Sequence, residues 1–249
     1  MPVNKKIRLD DFLVEQGYFA SRDEVLRATI ERTIRVNDVY VTSAAIKINQ
    51  DVDIFIKGKK QYVSRGGIKL QGALDTFDIK VEWLDCIDIG SSTGGFSDCL
   101  LQAGAKSVTC VDVNYGQLSW KIRNDARVKV FERTNIRLAN PADIGAPFDV
   151  VVADLSFIGL SGLAQTFSNY CKPGGTFVGL IKPQFEAYAD ENECGIVTNP
   201  EVRKRVVEEV SSSLANSGFE IKGICESPIK GTEGNIEYLV YALKLDTLN

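Results

Sequence analysis

From about residue 62 onward, short apolar runs alternate along the chain with stretches that carry apolar residues at helical spacing. Strands alternating with helices predict an α/β fold, a mainly parallel Rossmann-like sheet covered on both faces. The predicted strands span 84–89, 107–113, 148–153, 175–181, 219–225 and 237–244. The predicted helices span 67–76, 95–103, 161–170 and 200–217, the last with Pro200 in its first turn and Gly218 just past its end.

Residues 7–60 have shorter elements and predict a small α+β domain. A first helical segment closes at Gly17, and a capping box at Ser21–Glu24 opens a second helix, to about Arg32. We expect that helix to turn four side chains inward: Val25, Leu26, Thr29 and Ile30. The segment 34–41 predicts a hairpin turning at Asn37–Asp38, and 53–56 predicts one more strand. The predicted domains are therefore 1–60 and 61–249, with a linker at about 57–65.

Composition allows a sizeable core, since 44% of the 249 residues are apolar. The net charge of −4 divides unevenly: residues 1–69 hold 13 basic and 9 acidic side chains, which favours an anionic partner for this part. No run approaches the roughly 18–20 apolar residues of a membrane span, and the amino terminus does not resemble a signal peptide, so we expect a cytoplasmic protein that does not act on membranes.

The chain contains no histidine, which excludes hydrolases that depend on a Ser-His or Cys-His pair. Proton transfer must fall to Lys, Asp, Glu, Tyr or Cys. The six cysteines form no Cys-x-x-Cys pair, so reduced thiols are expected rather than disulfides or zinc ligands, and we expect no metal site.

A glycine-rich turn follows the first predicted strand of the larger part, at Gly90-Ser-Ser-Thr-Gly-Gly95. Glycines let the backbone approach a ligand, and the following helix offers free amides to an anionic group. The spacing differs from that of dinucleotide binders. Asp112 ends the next strand, where a carboxylate can accept from ribose hydroxyls. S-adenosylmethionine, which has a ribose but no pyrophosphate, fits this pattern; the alternative is a structural turn with a solvated aspartate.

Two ionisable residues follow later strands at the same sheet edge, Asp154 and Lys182. Burial and a nearby cation lower the pKa of a lysine, so that it can act as a base, and a carboxylate can orient the amine. Position alone leaves a structural ion pair equally open.

Seven segments in order resemble the TlyA family, also labelled hemolysin A-like and related to FtsJ-type RNA methyltransferases. The resemblance covers essentially the whole chain. The segments are Val63-Ser-Arg-Gly-Gly-Ile-Lys69, Asp88-Ile-Gly-Ser-Ser-Thr-Gly-Gly-Phe96, Asp112-Val-Asn-Tyr-Gly-Gln-Leu118, Glu132-Arg-Thr-Asn135, Ala153-Asp-Leu-Ser-Phe-Ile158, Lys182-Pro-Gln-Phe-Glu186 and Gly231-x-x-Gly-Asn-x-Glu237.

This resemblance implies 2′-O-methylation of ribose in ribosomal RNA, with S-adenosylmethionine as methyl donor and ribosomal RNA or ribosomal subunits as partner. Residues 1–60 would be the RNA-binding domain named after ribosomal protein S-four, and residues 61–249 the FtsJ-like methyltransferase domain. The family's tetrad falls on Lys69, Asp154, Lys182 and Glu237, with Lys182 as general base; Lys69 and Glu237 rest on the resemblance alone.

The remaining site residues fall into two groups. The cofactor is expected to contact Gly90, Ser91, Ser92, Thr93, Gly94, Gly95, Phe96, Asp112, Asn135 and Asp154. RNA is expected to contact Arg8, Arg22, Arg27, Arg32, Arg35, Lys47 and Arg65.

The small domain departs from the family pattern, because the segment 30–34 is one residue short and has no glycine after the second helix. Asn37-Asp38 also stands where relatives have Asn-Gly or Asp-Gly. The departure puts the orientation of Arg32 and Arg35 toward RNA in question.

Three other functions compete with this one. A membrane-acting cytolysin would need an amphipathic or spanning segment, and liposome leakage tests it. An RNA-binding protein with an inactive methyltransferase domain conflicts with the intact turn and tetrad. A methyltransferase for small molecules would not need residues 7–60.

Overall fold

The structure is a computed structural model and describes residues 6–15, 18–19, 21–37, 39–49, 52, 54–58, 61–192, 195–231 and 234–246. The chain divides into two compact units, Met1–Lys60 and Gln61–Asn249. In the part that the structure describes, no helix has the length and apolar character needed to cross a bilayer.

Among the described residues of the small unit, the structure forms two helices and five short strands. Its elements are β1 (Ile7–Arg8), α1 (Leu9–Glu15), α2 (Arg22–Ile30), β2 (Ile34–Val36), β3 (Val39–Tyr40), β4 (Lys47–Ile48) and β5 (Ile54–Ile56). β1 pairs with β4, while β2 lies between β3 and β5, and all of these pairings are antiparallel. The hairpin of β2 and β3 was predicted, whereas the two-residue strands β1 and β4 were too short to give a pattern.

The second helix packs on a narrower face than the sequence predicted. The Ser21 hydroxyl accepts from the amide of Glu24 at 3.4 Å, and Val25 and Thr29 are buried. The prediction that Leu26 and Ile30 are buried is wrong, because their side chains are 50% and 73% exposed. They are four residues apart and so share a stripe of their own, about 100° away from the buried one.

The turn that follows α2 takes left-handed backbone geometry at a residue with a side chain. Arg32 has φ 52°, and Asn37 has φ 46° at the hairpin turn. Asp38, the other predicted turn residue, lies outside the described residues. Arg32 and Asn37 carry backbone strain, roughly 1–2 kcal/mol for a left-handed residue other than glycine.

The described part of the large unit is built on a sheet of seven strands. Its strands are β6 (Asp85–Ile89), β7 (Ser107–Val111), β8 (Val128–Phe131), β9 (Phe148–Ala153), β10 (Cys171–Ile181), β11 (Phe219–Glu226) and β12 (Tyr238–Lys244). The order across the sheet is β11-β12-β10-β9-β6-β7-β8. The pairings from β8 to β10 are parallel, and β12 runs antiparallel to both of its neighbours.

Helices cover both faces of this sheet, as predicted. They are α3 (Gly66–Thr76), α4 (Gly95–Gln102), α5 (Trp120–Arg123), α6 (Pro141–Ile144), α7 (Ala164–Tyr170), α8 (Pro183–Glu186) and α9 (Pro200–Asn216). One core packs α7 and α9 on the sheet, and a second core packs α3 and α4 on it. Strand β9 contributes Val151 to one core and Val150 and Val152 to the other, which explains its continuous apolar run.

The predicted strands and longer helices of the large unit are present, with shifts of a few residues at their ends. The edge strand β8 and the one-turn helices α5, α6 and α8 were not predicted, because four residues are too few to show a period. Strand β10 begins four residues earlier than expected, since Pro173-Gly-Gly175 forms an irregular start to the strand rather than a loop.

Strand register brings the expected chemistry to one edge. Ile89 lies between Val111 and Ala153 in neighbouring strands, so the next residues, Gly90, Asp112 and Asp154, leave the sheet together. Lys182 follows the end of β10 on the same side.

Candidate active site

The turn after β6 brings the backbone of one strand end against that of another. The amides of Gly90 and Ser91 both donate to the carbonyl of Val111, at 2.8 and 3.2 Å. Gly90 has φ 82°, and a Cβ there would lie 2.7 Å from the carbonyl oxygen of Asp154. Only glycine combines this geometry with this approach.

A second glycine of the turn allows two helices to approach closely. A Cβ on Gly95, the first residue of α4, would overlap the hydroxyl of Ser64 and would lie 3.1 Å from the Cα of Gly66. The beginnings of α3 and α4 therefore meet beside the turn.

A cavity lies at this edge of the sheet. Half of the residues that line it belong to the turn and to α4: Gly90, Ser91, Ser92, Thr93, Gly95 and Phe96. The other half come from other elements: Ser64, Gly66, Asp88, Asp154, Ser156 and Lys182. The cavity thus joins the predicted cofactor turn to the pair Asp154 and Lys182.

Asp88 is a fully buried carboxylate in the wall of this cavity. Its Oδ2 accepts from the amide and the hydroxyl of Ser97, at 2.9 and 2.6 Å, while its buried Oδ1 has no hydrogen-bond partner. Burial, together with the charges of Asp154 and Asp112, raises the pKa of Asp88 to about 7. The unpartnered oxygen suits a cationic ligand group, since burying a carboxylate oxygen without a partner is costly.

Three of the expected cofactor residues are outside the cavity lining. Asp112 braces the turn, because its two oxygens accept from the amides of Ser92 and Asn114 at 2.8 and 2.7 Å. Gly94 caps α4 with φ 92°. Asn135 is exposed, and its side chain accepts from the amide of Arg137. Contact of these residues with a cofactor stays a prediction.

Lys182 and Asp154 form a close ion pair. Lys182 Nζ lies 2.5 Å from Asp154 Oδ1 and donates to the Ser156 hydroxyl at 3.3 Å. Their side chains are 12% and 22% exposed, so the pair is shielded but reachable from the cavity. This geometry presents an amine, held by a carboxylate, to whatever enters beside the turn.

Lys69 and Glu237 form a second, more deeply buried pair. Lys69 Nζ donates to Glu237 Oε2 at 2.6 Å, and the two side chains are 10% and 2% exposed. Gln184, two residues after Lys182, donates to Glu237 Oε1 at 3.3 Å. The two ion pairs are thus linked through the segment that carries Lys182, although neither Lys69 nor Glu237 lines the cavity.

Residues 154–161, which follow β9, place an aromatic side chain in solvent next to the ion pair. Phe157 is 88% exposed and has φ 68°, while its ring packs against that of Phe185 with centroids 5.5 Å apart. The exposed ring is therefore available for contact beside the ion pair, on backbone that is strained for a residue other than glycine.

The basic residues expected to contact RNA differ in whether their side chains already have partners within the protein. Arg8 binds the nearly buried Asp10 through two hydrogen bonds, and Arg22 pairs with Asp11. Arg27, Arg32 and Lys47 have exposed side chains.

Two more of these residues have partners in the structure. The guanidinium carbon of Arg35 lies 4.3 Å from the centre of the Phe55 ring. Arg65, in the large unit, donates to the carbonyl of Lys230.

The structure brings to this site five residues that lie in the quoted segments but had no predicted role: Ser64, Gly66, Asp88, Ser156 and Gln184. Asp88 had a usable signal, because it is an acidic residue between Ile87 and Ile89 in the apolar end of a strand, two positions before the turn. The others become visible only when separate elements pack together.

Comparison with known proteins decides the family. The model of the FtsJ-like methyltransferase family matches residues 62–244. The chain belongs to this family. As an FtsJ-like methyltransferase it is an enzyme, and the seven-stranded sheet of the large unit is the family's Rossmann-like sheet.

Relatives match nearly the whole chain. A Bacillus subtilis protein, provisionally called rRNA methyltransferase YqxC, is 43% identical over 242 residues, which cover 96% of this chain and 86% of the relative. The 16S/23S rRNA (cytidine-2′-O)-methyltransferase TlyA of Mycobacterium tuberculosis is 37% identical over 240 residues, or 95% of this chain and 90% of the relative.

Solved structures agree with this family. A protein of Streptococcus thermophilus, provisionally described as a hemolysin, is 38% identical, with a TM-score of 0.73 and coverage of 98% of this chain and 90% of that one. At 17% identity, a structure from Mesorhizobium loti described as an S-adenosylmethionine-dependent methyltransferase shares the fold with a TM-score of 0.50.

Proposed function

We propose that this methyltransferase transfers the methyl group of S-adenosylmethionine to a ribose 2′-hydroxyl of ribosomal RNA. One observation carries the proposal: a single cavity joins a glycine turn that can cradle the donor to a lysine–aspartate pair that can activate a hydroxyl. The name of the Mycobacterium tuberculosis relative, an rRNA (cytidine-2′-O)-methyltransferase, supports the same substrate and suggests cytidine. A ribosomal substrate also favours a cytoplasmic location.

The residues of the cavity fit the methyl donor. Asp88 offers a buried, unpartnered oxygen to the cationic amino-acid end, and Gly90 leaves the room that a side chain would fill. Asp112, which already holds the turn, keeps lone pairs for ribose hydroxyls. When bound, S-adenosylmethionine supplies an electrophilic methyl group attached to a sulfonium.

The acceptor hydroxyl must lose its proton to become a good nucleophile. In the proposed mechanism Lys182 takes that proton in its neutral amine form, because an ammonium has no lone pair, and Asp154 fixes the direction of the amine. Glu237 holds Lys69, and Gln184 links this pair to the Lys182 segment, so the tetrad is positioned before the substrate arrives. The RNA side is proposed to include the exposed ring of Phe157.

We assign the capture of RNA to residues 1–60, the ribosomal protein S-four-like unit. Arg27, Arg32 and Lys47 are exposed and are the best candidates for phosphate contacts. Arg8 and Arg22 already have carboxylate partners, so RNA would compete with Asp10 and Asp11 for them.

The deciding experiment incubates the purified protein with isolated small and large ribosomal subunits and labelled S-adenosylmethionine. The modified nucleotide is then mapped by mass spectrometry. We expect a 2′-O-methylated ribose, and no transfer by Lys182→Ala, which should still bind the donor. Methylation of a base, or wild-type turnover by Lys182→Ala, would contradict the proposal.

A further inference from the structure

Three contacts hold residues 154–161, here called the acceptor loop, against residues 182–186, here called the lysine segment. The contacts follow one another in the same order along both segments. At one end Lys182 contacts Asp154 at 2.5 Å. In the middle the rings of Phe185 and Phe157 pack with centroids 5.5 Å apart. At the far end Glu186 accepts from the amide of Leu160 at 2.5 Å and from the hydroxyl of Ser161 at 2.7 Å.

The contact at Glu186 has room and hydrogen-bond donors for a carboxylate. A Cβ on Gly159 would overlap the carboxylate of Glu186, so the glycine allows the backbone of the loop to come within hydrogen-bond distance. Leu160 is only 2% exposed and anchors the end of the loop in the core. Burial raises the pKa of Glu186, which shows that this carboxylate has given up much of its hydration for the contact.

The proposed mechanism does not use Glu186, yet the loop that it holds carries two groups of the site. Ser156 contacts Lys182 and lines the cavity, and Phe157 extends into solvent on strained backbone. A left-handed phenylalanine persists only when contacts on both sides of it fix the chain. Glu186 fixes the chain just after it, and the ion pair of Lys182 and Asp154 fixes the chain just before it.

We propose that Glu186 is a positioning residue that holds the acceptor loop in the conformation that receives the target nucleotide. This inference rests on the proposed function, because it concerns the RNA acceptor of the same site. Glu186 acts through the loop and touches no reacting atom. Its loss therefore changes how the enzyme binds and orients the acceptor, and leaves the glycine turn that holds the donor intact.

The test compares Glu186→Ala, Glu186→Gln and Ser161→Ala with the wild type, using ribosomal subunits and S-adenosylmethionine. Glu186→Ala should raise the KM for the subunit by about tenfold to a hundredfold, the range expected when a charged hydrogen-bond partner is lost. Glu186→Gln can still accept from Leu160 and donate to Ser161, so it should restore most of this loss. Donor affinity should change by less than about twofold, since the turn is untouched.

Asp149→Ala is the matched control for a purely structural effect. Asp149 lies at the other end of β9, where it accepts from Lys172 at 2.6 Å and from the amide of Asp85 at 3.0 Å. This variant should lower the thermal midpoint and leave the KM unchanged. Hydrogen exchange should show faster exchange of the Leu160 amide in Glu186→Ala, and not in Asp149→Ala.

The outcomes separate the two proposals. An active wild type with an unchanged KM in Glu186→Ala, or equal effects of the Ala and Gln variants, overturns the role of Glu186 alone. A wild type that methylates neither subunit overturns the proposed function and this inference together. If Glu186→Ala fails to fold, Ser161→Ala removes one of the two bonds and should show a smaller rise in KM; no rise there contradicts the proposal.

Discussion

Lys69 Nζ lies 2.6 Å from Glu237 Oε2, although the two residues are 168 positions apart in the chain. One residue lies on α3 and the other immediately precedes β12, so the contact forms only when the beginning and the end of the large unit come together. Both side chains are nearly buried, and their charges compensate each other.

Removing one member of this pair should destabilise the large unit strongly. Glu237→Ala or Lys69→Ala should lower the free energy of unfolding by about 3–5 kcal/mol, because a buried charge is left without its partner. The double variant Lys69→Met with Glu237→Leu should recover most of that stability, yet it should stay inactive. Chemical denaturation and methyl transfer measure the two effects separately. Recovery of activity in the double variant would limit the pair to a structural role.

The pKa of Asp88, raised to about 7 by burial, predicts how donor binding depends on pH. A cationic ligand end favours the ionised carboxylate, so affinity should rise as pH increases to about 7 and then level off. Below that value, affinity should fall by up to about tenfold per pH unit. Calorimetric titration from pH 5.5 to pH 8 checks this. Asp88→Asn should bind weakly and without this dependence, and any slope that remains in the variant belongs to the ligand.

The raised pKa of Asp88 also predicts how the stability of the protein without ligand depends on pH. The folded protein holds the proton of Asp88 more tightly than the unfolded chain does, so the contribution of Asp88 to stability falls as pH rises from about 4 to 7. Asp88→Asn should therefore be at least as stable as the wild type at pH 8, in the absence of ligand. A large loss of stability in the variant at that pH would show that the ionised carboxylate supports the fold.

Gly90→Ala tests the close approach of the turn to Asp154. The new Cβ would lie 2.7 Å from the Asp154 carbonyl oxygen and should cost about 1–3 kcal/mol beyond the strain of its φ of 82°. Methyl transfer should fall because Asp154 shifts. Gly174→Ala is the control: it has φ 69° and open space around it, so it should show the strain alone. Equal losses in the two variants would contradict the steric argument.

The small unit offers a contrast between two arginines. Arg27→Gln should weaken RNA binding and lower the slope of log affinity against log salt by about 0.7–0.9, the value for one phosphate contact. Arg8→Gln should instead lower the stability of this unit, because Asp10 is left nearly buried with fewer partners. Filter binding across a salt series distinguishes them; an unchanged slope for Arg27→Gln would remove it from the interface.

The sequence predicted the parts of this protein that depend on local pattern. Long apolar strands and the glycine turn can be recognised from the sequence. The order of the predicted strands then placed Asp154 and Lys182 correctly, at the same edge of the sheet as the turn. The prediction that Leu26 and Ile30 are buried was wrong. Helix α2 has two apolar stripes, and only the stripe that packs against the rest of the unit is buried. The connecting roles of Gln184 and Glu186 could not be predicted, because their hydrogen-bond partners lie in distant segments of the chain. Arg32 shows the limit of turn rules, since it adopts left-handed geometry without a glycine.

The position of β12 has a consequence for how the enzyme matures. It is the only strand in the described sheet that is inserted between two strands made before it, β10 and β11, and it has antiparallel pairings on both sides. A nascent chain that stops short of residue 238 therefore has a split sheet with two open edges, which invite pairing with other chains. Removal of β12 by cleavage would therefore cost more than an edge strand. It would also separate β11 from the rest of the sheet, and enzyme activity should be lost.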